Sequence, residues 1–301
     1  MKSLTLPQIH ALTAILDCLS PHDRERLAQL LPEAETAAIE VAPHWDFELC
    51  AKRVDQVIGT PCSDPATFAL RRGLLARWAQ TLPARLDAMN LPPQIMALYP
   101  EWTDRLIDLL NSDADGYDQD FWSKDVRFVL GLSVPANRTV VLDLSSPLGP
   151  RQVVMNAAKG HGIAPVFGWL GTRGWGCWLE NHTDSRELAD FNPEGWEKMW
   201  AHAAAILKTR PHLAGAIGSS WFYDPQLEEV SPRLAYLRQM PLANGAFSIH
   251  QGPHPIHTER ASAKSPTRRA LIELGQYVPC SYVIAWPRRS LIQWAERSGL
   301  I

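Results

Sequence analysis

Apolar positions recur at helical spacing through the first part of the chain and then give way to short β-rich runs. Thr5 and Pro7 open a first stretch with Ile9, Leu12, Ile15 and Leu16 on one stripe. Ser20-Pro21-His22-Asp23 has the form of an N-cap, a proline at the first helical position and a carboxylate in the first turn. Asp64-Pro65 opens another helix with Phe68, Leu70, Leu74, Leu75 and Trp78 on its inner side, and Leu106, Leu109 and Leu110 recur in a last one. No catalytic motif stands in this half. Its expected work is packing, with a lid or a dimer surface as further options.

Between Asn111 and Asp125 the chain is dense in carboxylates. Asn111, Asp113, Asp115 and Gly116 fit the first half of a calcium-binding loop. The twelfth position of that pattern needs a bidentate glutamate, and here it is Trp122. The stretch therefore reads as a solvated acidic linker, dividing a helical domain (1–120) from an α/β domain with an active-site cleft (121–301).

From Val126 the pattern changes period. Phe128 to Val134 and Thr139 to Leu144 are expected to pair as strands around Pro135-Ala136-Asn137-Arg138. A helix over Arg151 to Lys159 ends at Gly160. Val166 to Leu170 and Gly176 to Glu180 make a second expected pair. Asn192-Pro193 caps a helix with Trp196, Met199, Trp200, Ala203 and Leu207 on one face. Leu213 to Ser220 is a small-residue strand that passes into Trp221-Phe222-Tyr223 and breaks at Asp224-Pro225. A short helix near Arg233, a strand at Ala246 to His250, a helix from Ser265-Pro266, a strand over Tyr282 to Trp286 and a closing helix complete the series. The expected class is α+β: an N-terminal helical region followed by a mixed β-sheet covered by helices.

Composition sharpens this in four ways. At 301 residues and 46% hydrophobic, the chain can bury one large core or two modest ones. A net charge of −3 supplies no basic field for double-stranded nucleic acid. Five scattered cysteines without a CxxC favour reduced thiols and a cytoplasmic setting. No apolar run reaches the ~20 residues that span a bilayer, and the N-terminal apolar stretch, interrupted by His10 and Asp17, reads as a structural helix instead of a signal peptide. Nine of twelve tryptophans lie from Trp122 onward, which suits both core packing and ligand walls.

Four clusters carry candidate chemistry. Glu180, His182 and Asp184 end a strand, where a histidine beside carboxylates suits proton transfer; a polar loop capped by Asp184 is the plainer reading. Tyr223 and Asp224 follow Ser219-Ser220, which lack the second glycine of a nucleophile elbow. Tyr223 would donate a proton and Asp224 would anchor an amine or act as base, or Asp224-Pro225 merely starts a turn. Arg260, Lys264, Ser265, Arg268 and Arg269 place a helix start beside cations, an anion seat for phosphate or carboxylate, or only a solvated face. His250, His254, His257 and Glu259 with His182 and Asp184 could form a two-histidine, one-carboxylate iron site, but a helix interrupts the β-structure such a site needs, and no metal is expected.

The order of elements from Val126 to Trp286 resembles the Gcn5-related N-acetyltransferase family. The resemblance implies transfer of an acyl group from a thioester to a small amine-containing substrate, with acyl-CoA or a carrier-bound thioester as co-substrate. On it, Glu180, His182 or Asp224 would be the base and Tyr223 or Tyr236 the acid. The glycine-rich pyrophosphate loop of that family is absent: Ser185-Arg186-Glu187-Leu188-Ala189-Asp190 stands in its place. The Arg268 region would then have to hold the phosphates. A metal-dependent oxidoreductase and a non-enzymatic module binding a small ligand or partner are the alternatives. Substrate identity and oligomeric state are not written in the sequence.

Overall fold

The computed structural model describes residues 4–42, 44, 46–59, 65–112, 119–172 and 176–301. The chain forms two compact units, Met1–Ser145 with Thr183–Leu188, and Ser146–His182 with Ala189–Ile301.

The first unit contains helices α1 (Leu6–Asp17), α2 (Pro21–Glu40), α3 (Leu49–Ile58), α4 (Pro65–Met89), α5 (Pro93–Met96), α6 (Tyr99–Asn111) and α7 (Gln119–Val129). An antiparallel pair, β1 (Ser133–Pro135) and β2 (Val140–Pro147), follows with Val134 opposite Leu142. The starts of α1 and α2 are set by side-chain caps. Thr5 and Gln8 form a reciprocal capping box on α1, and Ser20 Oγ accepts from the Asp23 N–H at 3.1 Å on α2.

Two expectations need correcting here. Of the acidic stretch, residues 113–118 lie outside those described, but Gln119 to Asp125 is the start of α7 and no linker. Trp122 in it is fully buried and donates its Nε1–H to Asp55 at 3.1 Å. The strand expected over Phe128 to Val134 is helix up to Val129, and only Ser133–Pro135 pairs. Phe128 and Val129 run without a polar break into Leu130, Gly131 and Leu132, so the sequence does not mark where the helix stops, and Gly131 ends it at φ +71.

The second unit contains α8 (Pro150–Ala158), α9 (Ala164–Gly171), β3 (Cys177–Thr183), α10 (Pro193–Thr209), β4 (Gly215–Ser220), α11 (Leu227–Val230), α12 (Tyr236–Ala243), β5 (Phe247–Pro253), α13 (Pro255–Ala263), α14 (Pro266–Glu273), β6 (Cys280–Pro287) and α15 (Arg288–Arg297). Its strands lie in the order β3-β4-β6-β5, with β3 and β4 parallel and the other pairs antiparallel. The class is thus α+β with a mixed sheet, as expected. The strand expected over Val166 to Leu170 is instead α9, a helix without one polar side chain to reveal its period.

Both sheet faces are covered. On one, α10 lays down Trp196, Met199, Trp200, Ala203 and Leu207, all fully buried, and Asn192 Oδ1 caps it by accepting from the Gly195 N–H at 2.8 Å. Trp200 meets Trp286 edge to face at 5.3 Å, and Trp286 meets Trp294 at 4.9 Å. On the other, Trp178, Ile217, Ile249, Val283 and Ala285 pack against Leu148, Val153 and Trp169 from α8, α9 and the turn before them. Each buried tryptophan contributes about 5 kcal/mol of transfer free energy before conformational entropy is subtracted. Cys18, Cys50, Cys177 and Cys280 are free thiols. Among the described residues, no helix is long and apolar enough to cross a membrane.

Candidate functional site

Strand alternation places Trp178, Glu180 and His182 on one face of β3. The register carries that face across the sheet: Glu180 stands opposite Ile217, Ile217 opposite Ala285, and Ser219 opposite Val283. The tryptophan and aliphatic residues form the apolar floor already described. At the same end of all four strands the floor turns polar, through Glu180, His182, Ser219, Ser281 and Gln251. The His182 Nε2 lies 3.7 Å from Glu180 Oε2, with both side chains less than a fifth exposed. Gln251 Oε1 accepts from Ser219 Oγ at 2.6 Å and from Ser281 Oγ at 2.7 Å. A bulge between His250 and Gly252 turns the Gln251 amide toward the two serines. Ser219 stood in the second sequence candidate, but its partners Gln251 and Ser281 were not among the candidates. The signal for these groups is the switch from apolar to polar at the ends of neighbouring strands.

The opposite face of β3 holds Asn181, which joins this strand tip to the Tyr223 tip. The Asn181 Nδ2–H donates to the Tyr223 hydroxyl at 3.4 Å. Asn181 stands opposite Gly218, and a Cβ at Gly218 would lie 2.3 Å from that amide nitrogen. A side chain at this position would therefore have to displace the Asn181 amide. Tyr223 ends a 3-10 turn, Trp221–Tyr223, whose entry is fixed by Ser220 accepting from the Phe222 N–H. The ring is fully buried. Burial raises the Tyr223 phenol well above the ordinary tyrosine range, with Asn181 opposing and the charges of Tyr236 and Glu180 adding. Burial likewise pushes Tyr236 up to about 12, helped by Glu194.

Asp224 is almost fully buried, and both its oxygens are engaged. Oδ1 accepts from the Gln226 N–H and Oδ2 from the Cys280 N–H, each at 3.0 Å. The carboxylate thereby pins the turn after β4 to the start of β6. Its charge adds to burial in raising the phenol of Tyr277 and the thiol of Cys280.

Asp184 belongs to the other unit. Its carboxylate is buried and held by Arg186 Nε at 3.0 Å and Nη2 at 2.8 Å, with Arg105 Nη2 at 3.4 Å. Arg186 in turn makes a bidentate pair with Asp125, at 2.8 Å on both arms. Burial pushes Asp184 up, but the hydrogen bonds and charge of Arg186 outweigh it and hold the group below the usual aspartate range.

The cationic cluster divides. Arg268 is buried and held in place: Nε donates to the Ala261 carbonyl at 2.7 Å, Nη1 to Ser231 Oγ at 3.2 Å, and the guanidinium lies 4.9 Å above the Trp221 ring. Ser265 caps α14 by accepting from the Arg268 N–H, so one of the N–H groups of that helix start is already taken. Arg260, Lys264 and Arg269 are exposed. Among the described residues no group of three or more His, Cys, Asp or Glu stands close enough to hold a metal ion. His254 and His257 rings lie 5.9 Å apart, while His250 stacks with His161 at 4.0 Å.

No family model matches the chain, and no curated protein does. Among solved structures, an acyltransferase crystallised with CoA and 10C-teicoplanin is 14% identical, with a TM-score of 0.55 over 89% of this chain and 81% of its own. An acyltransferase with decanoyl-CoA and teicoplanin, and an acyltransferase mutant with octanoyl-CoA, are each 13% identical. Both align over 95% of this chain and 85% of theirs, at TM-scores of 0.56 and 0.55. At such identity the likeness is one of fold.

Proposed function

We propose that this chain is an acyltransferase that moves an acyl group from a CoA thioester to an amine of a small molecule, in the manner of the Gcn5-related N-acetyltransferases. The observation that carries the reading is the fold shared, over 89–95% of the chain, with acyltransferases crystallised with CoA or acyl-CoA. The polar strand ends at the edge of an apolar sheet face supply groups of the right kind.

In this reading the amine nitrogen attacks the thioester carbonyl, a C–N bond forms, the C–S bond breaks and CoA leaves as thiolate. His182 accepts the ammonium proton, and the Glu180 carboxylate 3.7 Å from its Nε2 stabilises the imidazolium that forms. The same imidazolium then returns a proton to the thiolate. Tyr223, fully buried with its hydroxyl against Asn181 on the other face of β3, we assign to holding the strand tip in place. Asp224, with both oxygens on backbone N–H groups, positions Tyr223. Asp184 we assign to the scaffold. Exposed Arg260, Lys264 and Arg269 are the cations for the CoA phosphates, and Arg268 and Ser265 hold the helix start that carries them.

The test is release of free thiol from acyl-CoA across a panel of amines, with CoA-induced stabilisation measured in parallel. His182→Ala should lower kcat/KM by about 10²–10⁴ with the melting temperature nearly unchanged. Arg269→Ala should weaken CoA binding and leave kcat at saturation intact. No thiol release with any amine, together with no stabilisation by CoA, defeats the reading.

A further inference from the structure

The α8–α9 hairpin has an outer surface unlike the rest of the second unit. α9 has the sequence APVFGWLG, with no polar side chain, and yet only one side of it is covered: Pro165 and Trp169 point into the core while Ile163, Phe167 and Leu170 face solvent. Those three recur at i, i+4 and i+7, an apolar stripe at helical spacing turned outward. Val154 and Met155 on α8 are exposed as well, so five large apolar side chains within seventeen residues stand 45–65% in solvent. Isolated exposed apolar residues need no explanation, but a cluster of this kind marks an interaction surface.

Charge decides what covers it. From Leu144 to Leu179 the chain has no Asp or Glu, whereas it carries Arg151, Lys159 and Arg173, in a protein whose net charge is −3. Arg151 and Lys159 are exposed at the two ends of α8. A second copy of the same surface would bring cations to cations with no acid in the segment to answer them. An anionic bilayer answers both features, taking the apolar stripe into the acyl boundary and the cations onto headgroup phosphates.

We propose that the outer face of α8 and α9 docks this protein reversibly on anionic lipid surfaces, with Phe167 and Ile163 inserted and Arg151 and Lys159 on the headgroups. This stands apart from the acyl-transfer reading, because the test needs no turnover.

The experiment is vesicle flotation of the full chain with phosphatidylcholine alone and with phosphatidylcholine containing phosphatidylglycerol. Binding is expected to the second only, and to be released by raising salt. Phe167→Asp should weaken it by at least about tenfold, since a phenyl ring would no longer leave water. Arg151→Gln or Lys159→Gln should each weaken it about fivefold. All three side chains already face solvent, so unchanged circular dichroism and melting temperature serve as the folding control. Equal flotation with both vesicle types, flotation unmoved by Phe167→Asp, or no flotation together with a dimer that Phe167→Asp dissociates would each overturn the proposal.

Discussion

His182 and Asp184 are two residues apart, and they belong to units that handle polar groups in opposite ways. In the first unit buried charge is paired. Arg127 meets Asp143 at 2.7 Å, Arg71 meets Asp55 at 2.8 Å, and Arg186 meets both Asp125 and Asp184. Their role is structural, because a charge removed from water is tolerated only with its partners in place. In the second unit the sheet face under α8 and α9 is tryptophan and aliphatic with its carboxylate, imidazole and hydroxyls at the strand ends, and the buried Asp224 and Arg268 are held by backbone and hydroxyl groups. A carboxylate wrapped by guanidinium groups has no freedom to exchange protons with a substrate. The contrast separates buried ion pairs from polar groups at the rim of an apolar sheet face.

The largest expected effect breaks the pairing side. Asp143→Ala leaves Arg127 buried, with Nε losing its acceptor and Nη2 keeping only the Ala42 carbonyl, and should destabilise by about 3–5 kcal/mol in denaturant unfolding. Replacing both residues with apolar side chains of similar volume should recover much of that loss. A double variant as unstable as the single one would mean that the carboxylate matters beyond its charge. Cys50, whose Sγ lies 2.8 Å from the same guanidinium, would then be the next group to examine.

A middle-sized effect tests the second unit. Gly218→Ala would place a Cβ 2.3 Å from the Asn181 amide, which must move off its contact with Tyr223 to make room. About 1–3 kcal/mol of destabilisation is expected from such overpacking, along with loss of the Asn181–Tyr223 contact. Ser219→Ala at the exposed end of the same strand should stay within about 0.5 kcal/mol. If the two variants unfold alike, the tight joint between the strand tips is not real.

Much of this was legible in the sequence, and what was not had a physical reason. The helix from Asn192 could be read because a capping side chain and a 3.6-residue stripe agree there, and exposed Glu194, Glu197 and Lys198 interrupt the apolar positions of its first turns. Val166 to Leu170 and Phe128 to Val129 could not, because an apolar run without polar interruptions has no visible period. The strand ends at Glu180 and Tyr223 were recognisable as places where apolar texture stops. Arg268 and Arg186 were harder. Arginine in a polar stretch reads as solvated, and burial of these two depends on Trp221, Ser231 and Asp125, residues 37 to 61 positions away. The Gln251 bridge was unreadable for the same reason, since it joins Ser219 and Ser281 across 32 and 30 residues.

The smallest effect is in the acid limb of stability, and it sharpens the comparison at Asp184 itself. An aspartate held below its usual range when folded binds its proton more readily in the unfolded chain, whose reference value is about 3.9. Its contribution is therefore complete above that value and is lost as pH falls through the lower folded one. Asp184→Asn removes this linkage. The variant should be less stable than the parent at neutral pH, and the gap should narrow as unfolding is followed from about pH 6 down toward pH 2. A gap that stays constant across that range would show the carboxylate titrating alike in both states, and Asp184 would then lose its place with the paired charges of the first unit.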